Sequence, residues 1–272
     1  MALLAAAPSL AGPPPRRVVA LAPSAAEILY ALGAAERVVG VSDFAAGLPG
    51  SKGKVRLGGF LPDLERIAAL KPDLAVVSKD GTDRRAAERL AALGVRVVVT
   101  DATSLEGVYA DVRRVGKALG SGDEADRLVT AMSRRVAAAE ARARLGPTRR
   151  RRRALAVIWP EPPIVAGRGT FVGDLLERAG LENVVPASAG EWPRLSHEVL
   201  VAWAPDLLVR PETAENRAVF AAAFVPSSRW FLLPAVREGR VVVLPGDHLE
   251  RPGPRLVDAL EVLVERLREV GP

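Results

Sequence analysis

The sequence predicts an α/β protein of two similar lobes, each with a parallel-type central sheet, joined by a single long backbone helix. Three observations predict it. Short apolar, β-branched runs alternate with helical patterns from Arg17 to Thr100 and again from Ala154 onward, as parallel strands with right-handed crossovers require. Between these stretches, Asp123 to Leu145 holds no Gly or Pro and is rich in Ala, Arg and Glu, so it reads as one helix about 33 Å long at ~1.5 Å per residue. Finally, the two stretches repeat each other. DLERIAALKPDLAVV from Asp63 aligns with SHEVLVAWAPDLLVR from Ser196, superposing Glu65 on Glu198, Ala69 on Ala202, Pro72 on Pro205, Asp73 on Asp206 and Leu74 on Leu207. A weaker match aligns AEILYALG, ending at Gly33, with GDLLERAG, ending at Gly180.

Taken in order, Arg17 to Leu21 is a strand. Ser24 with Glu27 forms a capping box opening a helix that ends at Gly33. Val38 to Val41 is a strand, Leu64 to Leu70 a helix stopped by Lys71-Pro72-Asp73, and Leu74 to Val77 a strand. Asp83 to Leu93 is a helix closed by Gly94, followed by a strand from Val95 to Thr100 and a helix from Leu105 to Leu119. Beyond the long helix come strands at Ala154 to Ile158, Val184-Val185, Leu207 to Val209 and Arg240 to Leu244. Helices span Phe171 to Ala179, Glu198 to Trp203 and Pro254 to Val270. These elements divide the chain into a leader (1–16), an N-terminal lobe (17–120), a connecting helix (121–148) and a C-terminal lobe (149–272). Met1 to Gly12 is apolar and small-residue-rich, like the end of a secretory signal, but lacks a positive n-region.

Composition removes several functions. Cysteine is absent, which excludes disulfides, thiol catalysis and a lipidated N-terminal cysteine; only two histidines exist, so a His-rich metal site is impossible. The net charge of +6 owes much to Arg149–Arg153, which read as a solvated loop before a strand. No helix-turn-helix or basic-aromatic interleaving supports nucleic-acid binding. An α/β enzyme is the rival class, but no G-x-S-x-G, P-loop or G-x-G-x-x-G motif occurs. Two facing lobes make a cleft, a preferred place for ligands.

VVALAPSAAEILYALG, GVSDF, LERIAALKPDL, WPRLSHEVL with APDLLV, and ERPGPRL carry a resemblance to the periplasmic binding proteins whose lobes are joined by one backbone helix. It covers Val18 to about Arg268. That family serves ABC importers for cobalamin, haem and iron-siderophores. DATSLE, EWPRLSHE and GDHLERPGPR lean toward its cobalamin-binding branch. The resemblance implies a periplasmic, monomeric, non-catalytic protein that captures a corrinoid between its lobes. It would deliver the ligand to a membrane permease and its ATPase, and the rigid connector implies small hinge motion. It implies no cofactor, only cobalamin or another metal chelate as cargo.

The same resemblance implies the site. Glu65 and Glu198 match the acidic residues that dock on permease arginines, although each also sits where a helix dipole favours an acid. Cleft positions are Pro23, Phe44, Phe60, Trp159, Trp192, Asp247, His248 and Arg251. Gly59, Ser78, Ile164 and His248 stand where aromatics are common; Phe60 and Trp159 are neighbours that compensate. Aromatic faces suit a large, flat, mostly apolar ring. His248 is the one side chain offered as a metal ligand, and as a lone histidine in a polar loop it fits simple exposure better. His197, beside Glu198, is expected at the permease-facing surface, and Trp203 and Trp230 in packing. The tyrosines, Tyr30 and Tyr109, fall in helical patterns away from the edge where haem-binding relatives place a tyrosine ligand. Arg168, Lys79 and Arg251 are the cations available to an anionic siderophore. Haem and ferric siderophores are the alternative ligands.

Overall fold

Runs that are apolar at every position form the central strands, as burial on both faces of a parallel sheet requires. Strand β1 (Val18–Ala20) is buried throughout, and β4 (Leu74–Ser78) at all but its last residue. The computed structural model describes residues 13–145, 151–214, 216–246, 249 and 251–270. They fall into two compact units. The first takes the described residues up to Asp101 together with Gly107–Ala131; the second takes Ala102–Glu106 and the described residues from Met132 onward.

In the first unit, β1, α1 (Pro23–Ala31), β2 (Val38–Val41), β3 (Val55–Arg56), α2 (Leu64–Ala69), β4, α3 (Arg84–Ala92) and β5 (Arg96–Thr100) build an all-parallel sheet of order β3-β2-β1-β4-β5. Its core joins Val19, Leu21, Leu57, Ile67, Ala75, Val77, Leu90 and Val95. Helix α1 starts earlier than the capping box implies. Pro23 occupies its first turn behind Ala22, no side chain caps it, and Ser24 and Glu27 are both buried. Proline lacks the N–H that a cap would satisfy and its φ already suits the first helical position. Helix α4 (Leu105–Leu119) follows, then α5 (Gly122–Arg144), whose residues from Met132 on belong to the second unit.

The second unit adds β6 (Arg153–Pro160), β7 (Pro163–Val165), α6 (Phe171–Arg178), β8 (Glu182–Asn183), α7 (His197–Trp203), β9 (Leu207–Glu212), α8 (Arg217–Ala223), α9 (Pro234–Arg237), β10 (Val241–Pro245) and α10 (Leu256–Arg266). Strands β10, β9, β6 and β8 are parallel, and β7 returns antiparallel along β6. Its core gathers Leu155, Val157, Leu200, Leu208, Phe220, Trp230 and Leu233 among others. Trp230 is fully buried there, with Trp203 packed against the cluster.

The repeat seen in the sequence extends to backbone conformation. Helices α2 and α7 are each followed by a residue at positive φ, Lys71 at 46° and Ala204 at 43°, just before Pro-Asp. Each Asp then anchors the first strand of its own sheet. Asp73 accepts from the backbone N–H of Arg16 (2.7 Å) and Arg17 (3.0 Å), and Asp206 from that of Arg153 (2.7 Å). Gly33 and Gly180, at φ 72° and 79°, follow α1 and α6 in the same way.

The arginine run is not a plain loop. Arg149 and Arg150 lie outside the described residues. Arg152 donates to the carbonyls of Leu267 (2.9 Å) and Val270 (3.1 Å) just past α10, and Arg153 opens β6. Burial pushes the Arg152 guanidinium down, against the pull of Asp206. Part of the positive charge thus serves as a helix C-cap.

Candidate functional site

Because β1, β2 and β3 are parallel, the segments that follow them emerge at one edge of the first sheet. Pro23 opens α1 after β1, Phe44 follows β2, and Phe60 follows β3. Phe44 and Phe60 meet edge to face, centroids 5.2 Å apart, a favourable arrangement for ring quadrupoles. Both remain exposed, Phe60 by 63%. A tight turn holds them. Asp63 N–H donates to Leu57 O and Asp43 N–H to Gly58 O, each at 2.8 Å. Gly58 sits at φ 88°, where an added Cβ would also press on the Leu61 carbonyl. At Gly59 an added Cβ would lie 3.2 Å from the Phe44 ring, tighter than ordinary contact.

In the second unit Trp159 stands near the carboxyl end of β6. Its indole N–H donates to Glu161 O (3.0 Å), which fixes the ring in the β6–β7 turn while leaving a face exposed. Trp192 lies on the segment between β8 and α7, which is pinned on both sides. Gly167 N–H donates to Glu191 O (2.7 Å) and Val165 N–H to Pro193 O (3.2 Å). Gly167 must be glycine, since a Cβ there would overlap the Gly190 carbonyl. Trp192 leans on Phe171 at 5.7 Å between centroids, yet 40% of it is exposed. Phe171 backs this wall but reads in the sequence only as a helix start. Arg251 follows β10, half-buried; Asp247 and His248 lie outside the described residues.

The remaining candidates divide clearly. Glu65 and Glu198 are each the second residue of their helix and exposed, at the carboxyl edge of their own sheets. The Ser196 hydroxyl, the Glu198 backbone N–H and the positive charge of Arg229 hold the Glu198 carboxyl below the usual range. The expectation for His197 fails: it is only 4% exposed, edge-on to Trp230 at 5.2 Å, because the first turn of α7 directs it inward while Glu198 faces out. Lys79 is paired with Asp101 (3.0 Å), Arg168 donates to the carbonyls of Asn183 (2.9 Å) and Val185 (3.1 Å), and Arg251 is engaged within the protein. Tyr30 shares a hydrogen bond with Ser51 (3.0 Å), and burial pushes its phenol up. Among the described residues no cluster of three or more His, Asp or Glu could hold a metal, and no helix is long and apolar enough to cross a membrane.

A family model described as periplasmic binding protein matches residues 18–248. A cobalamin-binding protein of Halobacterium salinarum is 32% identical over 253 residues, covering 90% of this chain and 68% of that protein. The Bacillus subtilis ABC transporter substrate-binding lipoprotein YvrC is 29% identical over 257 residues, covering 93% and 80%. The solved periplasmic haem-binding protein RhuT of Roseiflexus sp. RS-1 superposes with a TM-score of 0.81 at 27% identity, over 94% of this chain and 98% of its own. With two α/β units, parallel central sheets and a family match over most of its length, the chain belongs to the periplasmic binding protein family.

Proposed function

We propose that the protein captures a corrinoid outside the cytoplasmic membrane and delivers it, chemically unchanged, to the permease and ATPase of an ABC importer. It acts as a monomer. The observation that carries the reading is the set of exposed aromatics, the Phe44–Phe60 pair in one unit and Trp159 and Trp192 in the other. Each is held by backbone bonds that order it before any ligand arrives, which lowers the entropy cost of binding. A corrinoid is flat, largely apolar and rich in neutral amides, so it asks for aromatic faces rather than charge.

The alternatives find less support. An anionic ferric siderophore needs cations, and Lys79, Arg168 and Arg251 already have partners. A tyrosinate ligand for haem needs a phenol oxygen open to the iron, whereas the Tyr30 hydroxyl is already engaged with Ser51 within the first unit. Haem stays as the second reading because RhuT, which is similar over nearly the whole chain, is a haem-binding protein. The test is optical. Purified protein is mixed with cyanocobalamin or haemin, desalted and scanned; we expect a retained corrin spectrum. Retention of haemin alone overturns the choice of ligand, and retention of neither overturns both the corrinoid and the haem reading.

A further inference from the structure

The β6–β7 turn that presents Trp159 rests on two buried rings. The Trp230 indole N–H donates to Pro160 O (3.2 Å), and the Trp230 and His197 rings meet in a T-shaped contact. The Nε2 atom of His197 is buried with no hydrogen-bond partner, and it faces Glu161 Oε2 at 3.9 Å. The Glu161 carboxylate is otherwise 70% exposed, and the carbonyl of the same residue holds the Trp159 indole. A buried imidazole nitrogen without a partner is costly. Protonation makes Nε2 a charged donor, with a carboxylate within reach of a small side-chain movement.

Resting on the corrinoid reading, we propose that His197 is a proton-responsive positioning residue for the ligand-contacting Trp159 and acts through Glu161. Protonated His197 draws the Glu161 carboxylate into a charge-assisted hydrogen bond. That bond fixes the residue whose carbonyl orients the Trp159 indole, so the ring is set for ligand when His197 is charged. The other charges acting here are Glu198, on the same helix turn as His197, and Arg229, on the Arg229–Leu232 segment packed against α7. They oppose each other. Glu198 is tied to Ser196, which leaves Glu161 as the carboxylate facing Nε2.

The experiment measures affinity of the full chain for cyanocobalamin from about pH 8 to about pH 5.5. Affinity should rise about tenfold as pH falls, the scale of one charge-assisted hydrogen bond. Glu161→Gln should flatten the profile while leaving the fold intact, since the side chain is exposed; His197→Gln should flatten it as well. A histidine that only packs on Trp230 would leave wild type and Glu161→Gln with the same profile, and that result overturns the proposal. A second arm needs no ligand. The Trp159 indole N–H resonance, assigned through Trp159→Phe, should shift on acidification in wild type and stay put in Glu161→Gln; equal shifts overturn the coupling. If cyanocobalamin binds at no pH, the corrinoid reading fails and this arm alone decides the proposal.

Discussion

Trp192 exposes two-fifths of its surface while the chain on either side is held by bonds from Gly167 and Val165. Its side chain therefore contributes little to the loop's own order. Removing it should cost ligand binding far more than folding. For Trp192→Ala we expect a loss of about 2 kcal/mol or more in cyanocobalamin affinity, with unfolding free energy changed by less than about 1 kcal/mol. Titration calorimetry beside urea denaturation checks both, and an unchanged affinity for every tetrapyrrole tried would remove Trp192 from the ligand surface. Trp159 belongs to a different case, because its indole N–H is part of the turn that it sits on.

Among the elements, α5 and α10 are joined mainly through the Arg135 guanidinium, with Arg142 4.0 Å from the same Glu261 carboxylate. Arg135 grips Glu261 with two bonds (2.6 and 3.1 Å) and Asp258 with a third (2.6 Å). The Arg135 hydrogen bond holds the Glu261 carboxyl below its ordinary value, against burial that would raise it. A carboxyl depressed in the folded state contributes stability that is fully present above its unfolded value of ~4.3 and is lost as pH falls through the folded one. Arg135→Gln should therefore be less stable than wild type at neutral pH, and the gap should narrow as pH drops below about 4.3. Urea midpoints at a series of pH values test this; a gap that widens in acid would contradict it. Much of this level was legible in the sequence. The β2 and α4 boundaries match residue for residue, since a short apolar run between Arg37 and Ser42 and a fifteen-residue periodic pattern are clear signals. Strands β3 and β7 were not, being two and three residues long, one exposed and the other opening on proline. The β8 pairing falls at Glu182–Asn183 rather than Val184-Val185, because Asn183 turns its amide to the Ala166 carbonyl and sets the register. The four candidate aromatics came from family motifs rather than from periodicity, and all four are exposed. The inward turn of His197 was not legible, because a seven-residue helix with one polar pair at its start fixes no sidedness.

At the scale of the molecule, each unit offers one exposed glutamate in the first turn of a helix at the carboxyl edge of its sheet, Glu65 and Glu198. If both pair with permease arginines, reversing either charge should lower capture by the permease about tenfold or more. Glu65→Arg with Glu198→Arg should abolish capture, with cyanocobalamin affinity unchanged and wild-type capture weakening as salt rises. Pull-down on permease-containing membranes measures it; capture by the double variant at the wild-type level would reduce both residues to helix-start acids. The division of the chain into units has a further consequence. Ala102–Glu106 belongs to the second unit although the chain returns to the first for Gly107–Ala131. Within the second unit, Leu105 N–H donates to the Asp174 carboxylate (2.9 Å) and Glu106 pairs with Arg178. On the ribosome, the opening turn of α4 is thus made 69 residues before the carboxylate that caps it. The first unit can finish its sheet before Asp174 is made, so the Leu105 N–H gains this acceptor only when α6 has emerged and folded.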